Sequence, residues 1–350
     1  MVDIINKTTE LEISEIIAEI KLYEMDGLNL DCVNYKTNDI KYAIYNNDKI
    51  EEKLHVIAVI SNPCLYKKRY TLMNEFVKRM EEDEQHIELY IVEMKYKNQK
   101  YKFTDKNNKK HLQLESNTSM WHKENMINLA VKCLLPNDYK AFAWIDSDIE
   151  FENAYWAKDT LKILNGCKDV VQIFSHCIDM NNDYTNINIF NSFGFSYNKR
   201  KKYTAKGIDF WHPGFAWAIT RKAYEKIGGL YDKGILGSGD SIIAMSLINH
   251  VHLMNNKNYN TDYNTSMLDY QVKTSKLRLG YTPGVIRHHY HGTKQNRKYS
   301  DRWKILMKHN YSALEHLIYD ENGVLTPTEK FTDEFKNDIM NYFRERKEDE

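Results

Sequence analysis

The chain has little cysteine, and its cysteines form no close pair. Five cysteines, an odd number, are scattered along 350 residues, at Cys32, Cys64, Cys133, Cys167 and Cys177. A disulfide framework needs paired cysteines, and a structural zinc site usually carries a Cys-x-x-Cys spacing. The sequence therefore argues against both kinds of site and favours a reducing compartment.

The chain also lacks an excess of either charge and any long apolar run. The 49 basic residues balance the 49 acidic ones, so no overall field favours nucleic acid, and the basic run 199–202 is most simply a solvated loop. No apolar run is long enough to span a bilayer, and acids at positions 3, 10, 12 and 15 interrupt the early hydrophobic stretches that a leader would need. We expect a soluble, cytoplasmic protein without a signal peptide or transmembrane segment.

Strand and helix patterns alternate through the middle of the chain. Apolar runs at 56–60, 87–94 and 141–145 predict strands, and the segments between them carry apolar residues at helical spacing. This order predicts a parallel sheet with right-handed crossovers, whose carboxyl ends bind ligands. Further strands are predicted at 170–174, 215–219 and 285–290, and helices at 221–227 and 242–248. Thr220 is expected to cap the first of these helices and Gly228 to end it.

Polar stretches set the expected limits of the domains. The segments 95–116 and 181–206 are polar and are predicted to be loops. Residues 1–54 are predicted to be an N-terminal accessory segment, 55–303 the main α/β domain and 304–350 a C-terminal helical extension. The charge run 344–350 is typical of a fraying helix end.

Two aspartates follow the third strand. Asp146-Ser147-Asp148 ends the apolar run 141–145, which places both carboxylates where the strand emerges into a crevice. Mg²⁺ or Mn²⁺ held by one or two carboxylates commonly shares its other positions with substrate phosphates. The pair therefore points to a nucleotide-linked donor, although Asp-x-Asp is also common as a simple strand-to-turn junction.

A late histidine cluster offers imidazole ligands. His288, His289 and His291 lie at or just beyond the end of the strand predicted at 285–290. Because side chains alternate along a strand, His289 and His291 share one face and His288 points to the other. We predict that Asp148 binds a metal ion directly, that Asp146 binds the metal or a ribose, and that His289 is the third ligand with His291 second. An exposed, partly packed sheet edge is the alternative interpretation.

Separated segments between 55 and 303 together resemble metal-dependent glycosyltransferases of the A-type fold, and β-1,4-galactosyltransferases in particular. The segments that carry the resemblance are the strand at 56–60 with Pro63 and Lys67-Lys68-Arg69, then Trp121-His122-Lys123-Glu124-Asn125-Met126-Ile127-Asn128, Asp146-Ser147-Asp148, 215–229, Gly237-Ser238-Gly239-Asp240 and Ile286-Arg287-His288. Ile286-Arg287-His288 resembles the metal-binding strand of the galactosyltransferases, whereas His289-Tyr290-His291-Gly292 resembles the His-x-x-Gly metal motif of glycogenin-like transferases. Gly239 departs from the galactosyltransferase pattern, which has Glu there.

The resemblance implies a glycosyltransferase-A (Rossmann-like) α/β fold, with a mixed central sheet and helices on both faces. It implies that 55–303 is the catalytic domain and that Mn²⁺ (or Mg²⁺) is the cofactor. The implied donor is a nucleotide-diphosphate sugar, most simply a UDP-sugar. The residues assigned to donor binding are Ser61, Pro63, Arg69, Lys123, Asn125, Asp146 and Lys294. Lys294 is equally well a solvated loop residue.

The acceptor hydroxyl needs a base, and Asp240 is the candidate, since general-base assistance typically contributes about 10²–10⁴-fold. An Asp at a helix start is also a favoured N-cap, so both interpretations stay open. The aromatic segment Trp211-His212-Pro213-Gly214, together with Trp217, is interpreted as acceptor-binding surface, with core filling as the alternative. The acceptor itself, a glycan, a protein or a modified nucleic-acid base, is left open.

The predicted function is a metal-dependent, inverting glycosyltransferase of the hexosyltransferase kind. A metal-dependent nucleotidyltransferase or phosphohydrolase would also use Asp-x-Asp, but it normally needs further carboxylates for a second ion. A non-catalytic sugar-binding module would keep the aromatic loops without a competent metal site.

Overall fold

The computed structural model describes residues 37–82, 85–205, 210–293, 295–297 and 301–350. The strands in these ranges are β1 (Leu54–Ser61), β2 (Ile87–Tyr96), β3 (His111–Ser116), β4 (Ala141–Ile145), β5 (Ile149–Phe151), β6 (Val170–Gln172), β7 (His176–Met180), β8 (Asn186–Ser192), β9 (Trp211–His212), β10 (Ala216–Thr220), β11 (Leu279–Tyr281), β12 (Val285–His288), β13 (Leu317–Tyr319) and β14 (Leu325–Pro327).

The helices in the same ranges surround the strands. They are α1 (Thr37–Asn46), α2 (Lys67–Glu82), α3 (Lys123–Cys133), α4 (Trp156–Leu164), α5 (Phe193–Asn198), α6 (Arg221–Ile227), α7 (Gly239–Leu247), α8 (Thr261–Thr274), α9 (Asp301–Lys308), α10 (Ala313–His316) and α11 (Asp333–Glu345), with a 3₁₀ turn at Val251–Leu253. None of these helices is long and apolar enough to cross a membrane. The predicted ends of α6 are confirmed, because the Thr220 side chain accepts from Ala223 N–H and Gly228 adopts the left-handed conformation.

A seven-stranded sheet forms the centre of the fold, in the order β11-β6-β10-β4-β1-β2-β3. Strand β1 runs parallel to both β2 and β4, as the alternation of strands and helices predicts. Strand β10 pairs antiparallel with β4 and with β6, so the sheet is mixed. The expected α/β class with a mixed central sheet is therefore confirmed.

Hydrophobic cores cover both faces of this sheet. On one face, Phe142 and Trp144 of β4 pack in a cluster with Met126 and Ile127 of α3. On the other face, Ala143 shares a cluster with residues of α2 and α4. Because side chains alternate along β4, helices pack on both of its faces. Its carboxyl end is where the chain leaves the core.

A five-stranded sheet, in the order β5-β12-β7-β8-β9, begins where β4 leaves the central sheet. In it, His288 of β12 pairs with Ile149 of β5 on one side and with Asp179 of β7 on the other. The turn 146–148 thus joins the two sheets, and the end of β12 lies beside it.

Four segments differ from the prediction. The segment 304–350, predicted to be helical, also holds the antiparallel strands β13 and β14. The stretch 95–116 contains β3, a half-exposed edge strand whose polar residues concealed it. The stretch 181–206 likewise contains β8 and α5 rather than only loop. Strand β12 ends at His288 instead of Tyr290, although the next amide, His289 N–H, still donates to the Asp148 carbonyl oxygen at 2.7 Å in register with β5.

Candidate active site

The two aspartates of the central motif lie at the carboxyl end of β4. Asp146 N–H donates to the carbonyl oxygen of Phe215 at 2.9 Å, which fixes the turn against the loop before β10. Both Asp146 and Asp148 line a pocket of about 130 Å³, together with Lys123 and His291. The chain therefore brings carboxylates, an ammonium group and an imidazole to one crevice at the end of a central strand.

Asp148 forms a cluster with two histidines. Its Oδ2 lies 2.8 Å from His291 Nε2 and 3.7 Å from His288 Nε2, and the two Nε2 atoms are 3.3 Å apart. One ligand atom of each of the three residues lies within 4.8 Å of the others, a separation that a single metal ion can bridge. Asp148 Oδ1 is buried and has no hydrogen-bond partner among the described residues. One carboxylate, two imidazoles and a free buried oxygen fit a divalent cation.

A second carboxylate stands behind the cluster. His288 Nδ1 lies 2.7 Å from Asp179 Oδ1. A carboxylate in this position favours the tautomer with the proton on Nδ1, which leaves the lone pair of Nε2 directed at the cluster. This carboxylate–imidazole pairing is typical of histidines that bind metal ions.

The electrostatics of the cluster follow from its burial and its charges. Burial acts to raise the pKa of Asp148, but the His291 and His288 imidazoles outweigh it and hold that pKa well below the usual range. Burial acts to lower the pKa of His288, but Asp148 and Asp179 outweigh it and raise that pKa. A divalent ion would take the place of the imidazole protons, so its binding would release protons.

One cation of the protein already approaches the cluster. Arg297 Nη2 lies 2.7 Å from His291 Nε2. A guanidinium in that position would compete with a metal ion for the same imidazole nitrogen.

His289, the first choice for the third ligand, lies apart from this cluster. Its Nε2 is 3.2 Å from Glu150 Oε2, on the other side of β12 from His288. The alternation argument assumed a strand as far as Tyr290, but β12 ends at His288, so residues 289–291 do not keep the alternation and His291 turns back beside His288. Of the predicted metal set, the structure brings Asp148 and His291 together and adds His288.

Asp146 is held by Lys123 rather than by the histidines. Lys123 Nζ donates to Asp146 Oδ1 from the first turn of α3. Burial raises the pKa of Asp146, although the Lys123 charge opposes it. Burial likewise acts to lower the pKa of Lys123, but Asp146 and the nearby Glu124 and Asp240 outweigh it and raise that pKa. Lys123 therefore stays charged beside the pocket.

The other residues predicted to bind the donor lie in different places. Ser61 and Arg69 line the pocket, but Arg69 already donates to the Ser61 carbonyl oxygen and, through Nε and Nη2, to the Glu348 carboxylate. Pro63 lines a smaller adjoining cavity. Asn125 is turned away, 3 % exposed, and its side chain bonds Leu325 N–H and the Gly323 carbonyl. The last predicted residue, Lys294, lies outside the described residues.

The two tryptophans predicted to bind an acceptor lie in the core. Trp217 is 2 % exposed, stacks on Trp144 and donates Nε1–H to the Pro213 carbonyl oxygen at 2.8 Å. Trp211 is also buried and packs edge-on against Phe193. Core filling, the alternative interpretation, is what the structure shows for both rings.

His212 and Gly214 remain next to the candidate base. A Cβ on Gly214 would lie 3.1 Å from Asp240 Oδ2 and 2.9 Å from His212 Cε1, so a larger residue there would push these two side chains aside. Asp240 lies in the first turn of α7, after the N-cap Ser238, and its Oδ1 accepts from Ser241 N–H at 2.7 Å. Asp240 is thus not the N-cap residue, although it does bind a first-turn amide.

Phe215 connects His212, in the segment predicted to bind the acceptor, to the histidine cluster. It adopts a positive φ of 82°, unusual for a bulky residue. Its ring stacks on His212 at 4.3 Å and lies 4.8 Å from the His288 ring. The strained backbone therefore places one aromatic ring between the two imidazoles while its carbonyl holds Asp146.

Several residues of the site were not predicted from the sequence. Trp121, Arg346 and Glu348 line the same pocket, and the Arg346 guanidinium lies 5.5 Å from the centre of the Trp121 ring. Burial acts to raise the pKa of Glu348, but Arg69 and Arg346 outweigh it and hold that pKa well below its usual range. No local pattern in the charge run 344–350 marks these residues, whereas Trp121 stands beside Lys123 in the quoted motif.

Comparisons with known proteins give matches only among solved structures. No protein-family model matches the chain, and no curated protein sequence matches it. The catalytic domain of Drosophila β1,4-galactosyltransferase 7, in complex with xylobiose, is 10% identical, with 79% of this chain and 93% of that chain covered and a TM-score of 0.36. A mannosyltransferase from Pyrobaculum calidifontis, in complex with GDP-Man and Mn²⁺, is 12% identical, with coverages of 86% and 72% and a TM-score of 0.38.

A third structure belongs to another enzyme class. A putative glucose-1-phosphate thymidylyltransferase from Bacillus anthracis, in complex with sucrose, is 10% identical, with 67% of this chain and 88% of that chain covered and a TM-score of 0.34. The first two structures are glycosyltransferases, the class that the sequence motifs resemble. At these identities and TM-scores the likeness carries no argument about activity, and the function rests on the residues of the site.

Proposed function

We propose that the protein is a metal-dependent glycosyltransferase that moves a sugar from a nucleotide-diphosphate donor to an acceptor hydroxyl. The observation that supports this best is the cluster of Asp148, His288 and His291, with its buried and unbonded Asp148 Oδ1. Two imidazoles beside one carboxylate favour Mn²⁺ over Mg²⁺, which prefers oxygen ligands. A metal ion held there would offset the charge that develops on the departing nucleoside diphosphate.

The other residues of the pocket have roles in the same reaction. Lys123 presents a second positive charge toward the leaving diphosphate, and Asp146 orients the Lys123 ammonium by ion pairing. Asp240 accepts the proton of the acceptor hydroxyl while the new bond to the sugar C1 forms and the C1–oxygen bond to the diphosphate breaks. Such a single displacement inverts the configuration at C1. The donor that we propose is a UDP-linked sugar, and the acceptor is a hydroxyl group on a glycan, a protein or a modified nucleic-acid base.

The bond that is broken separates this proposal from its alternatives. A panel of UDP- and GDP-linked hexoses should be incubated with the protein and Mn²⁺, and the products identified by mass spectrometry. A glycosyltransferase acting on water or an acceptor releases the nucleoside diphosphate. A nucleotidyltransferase or phosphohydrolase releases the nucleoside monophosphate or sugar 1-phosphate, and a sugar-binding module gives no product.

The proposal that Asp148 binds the metal ion is tested by a variant in the same assay. Asp148→Asn should lose the Mn²⁺-dependent reaction, since it removes the negative ligand of the cluster. Asp138→Asn, an exposed residue before β4, is the matched control and should react as the unmodified protein does. Monophosphate products, or full activity in Asp148→Asn, would contradict the proposal.

A further inference from the structure

The segment 346–350 folds back onto the proposed donor pocket. The Asp349 carboxylate accepts from the backbone N–H of Lys67 at 3.0 Å and of Lys68 at 2.8 Å, so it caps the free start of α2. Tyr290 donates its hydroxyl to the Glu350 carbonyl oxygen at 3.0 Å. These contacts hold the segment against both α2 and the loop after β12.

Close backbone packing holds the same segment at the histidine loop. A Cβ on Gly292, whose φ is 87°, would lie 3.0 Å from Glu348 Cα and 3.1 Å from the Lys347 carbonyl oxygen. Only a glycine permits this approach. Glu348 is therefore placed beside His291 by the backbone and not by its side chain alone.

The Glu348 side chain is fully buried and touches two sides of the pocket. Arg69 Nε and Nη2 both donate to its carboxylate, the latter at 2.7 Å, and Arg346 Nε lies 2.7 Å from Oε1. Its Oε2 lies 3.9 Å from His291 Nδ1. The carboxylate thus joins the basic residues of the pocket wall to the outer nitrogen of an imidazole in the candidate metal cluster.

Each histidine of the cluster therefore has a carboxylate on the side of its Nδ1 atom, at a hydrogen-bond distance of 2.7 Å for His288 and farther away, at 3.9 Å, for His291. Asp179 stands behind Nδ1 of His288, and Glu348 stands behind Nδ1 of His291, while both Nε2 atoms face Asp148. Carboxylates behind metal-bound imidazoles orient the ring and fix the tautomer, and their loss typically costs about 10- to 100-fold in metal affinity. Ion pairing alone is a weak reason for burying Glu348, because desolvation offsets much of the gain from a buried pair.

We infer that Glu348 is a positioning residue of the metal and donor site, which orients His291 and fixes Arg69 in the wall of the pocket. The inference rests on the proposed function, because it assigns Glu348 to the metal ion that this function requires. It also makes 346–350 part of the site instead of a peripheral helix end.

The test compares two neutralised carboxylates of one segment. Glu348→Gln removes the charge behind His291 and keeps the size of the side chain. Asp349→Asn, the matched control, weakens the cap on α2 but has no contact with His291 or Arg69 in the described structure. Mn²⁺ alone is the ligand, titrated by calorimetry into the full chain. We expect a loss of roughly 10- to 100-fold in affinity for Glu348→Gln and less than about threefold for Asp349→Asn.

The outcomes distinguish a failure of the proposed function from a failure of the inference about Glu348. If the unmodified protein binds no Mn²⁺, the proposed function fails and the inference fails with it. If it binds Mn²⁺ and Glu348→Gln binds equally well, or if both variants lose affinity equally, only the inference is overturned. Should Glu348→Gln not fold, ¹⁵N NMR of His291 in the Mg²⁺- or Zn²⁺-bound protein, which avoids the paramagnetic Mn²⁺, decides instead. A proton on Nδ1 supports the inference, and a metal ion on Nδ1 overturns it.

Discussion

His288 Nδ1 lies 2.7 Å from Asp179 Oδ1, across the parallel pair of strands β12 and β7. The register of these two strands sets the contact, since His288 and Asp179 are direct partners in it. His288 is therefore oriented before any ligand arrives, with Nε2 facing Asp148. A preorganised imidazole is what a metal ligand needs, because the cost of orienting it has already been met in folding.

The ranking of the histidines is the first prediction. His288→Ala should abolish measurable Mn²⁺ binding or weaken it by more than about 100-fold, because it removes a ligand atom. His289→Ala should leave the affinity within about threefold, because His289 contacts Glu150 instead. Isothermal titration with Mn²⁺ measures both. A larger loss for His289→Ala would restore the ligand choice that strand alternation predicts.

Asp179 gives the second prediction. Asp179→Asn should weaken Mn²⁺ affinity by roughly 10-fold, since an amide holds the His288 tautomer less firmly than a carboxylate does. Glu150→Gln is the matched control, because it makes the same chemical change beside His289, on the other side of β12. Equal affinities in the two variants would show that Asp179 has only a structural role.

The difference between local and distant contacts explains which features of the site could be predicted from the sequence. The strand and the turn at Asp146 and Asp148 were predictable, because an apolar run followed by two acids is a feature of neighbouring residues. The partners of the site were not. Asp179 is 109 residues from His288, and Glu348 is 279 residues from Arg69. Strand register and the path of the segment 346–350 bring them together, and no periodicity in the sequence encodes either.

The tryptophans show a second limit. The local sequence around an aromatic residue that follows a glycine-rich or proline-containing turn is the same whether the residue binds a sugar or fills a core. Trp217 was therefore ambiguous until its pairing partner was known: Trp217 lies opposite Trp144 in the register of β10 and β4, with the two rings stacked. Burial is decided by the strand order, which the sequence did not supply for β10.

The third prediction concerns stability and the buried Glu124. A Cβ on Gly239 would overlap Glu124 Cδ and Oε1, so this carboxyl occupies the space at the start of α7. Burial raises the pKa of Glu124 from 4.5 to about 8. Between these two pH values the native state keeps a proton that the unfolded state has lost, so stability falls as pH rises and levels off above about 8.

Glu124→Gln should remove that dependence, since glutamine does not titrate. Relative to this variant, the unmodified protein should lose up to about 1.4 kcal/mol of unfolding free energy per pH unit between pH 5 and 8. Urea unfolding at several pH values measures the slope. Glu225→Gln, on the exposed side of α6, is the control and should keep the slope of the unmodified protein. Parallel curves for Glu124→Gln and the unmodified protein would show that Glu124 is ionised in the fold.

The last prediction concerns Asp240, whose carboxylate has two possible tasks. It accepts from Ser241 N–H in the first turn of α7, and it lies against Gly214 on the proposed acceptor side. Asp240→Asn keeps an oxygen that can accept from Ser241, so donor affinity and most of the stability should persist. It removes the basic oxygen, so the rate of reaction should fall by about 10²-fold or more. Single-turnover release of UDP from a UDP-sugar with Mn²⁺ measures that rate, with water as the acceptor.

Asp262→Asn, in the first turn of α8, is the control. It tests whether any acid in the first turn of a helix affects the rate, and it should leave the rate unchanged. A rate near that of the unmodified protein in Asp240→Asn would leave Asp240 as a helix-start residue only, and the proton of the acceptor would then need another base.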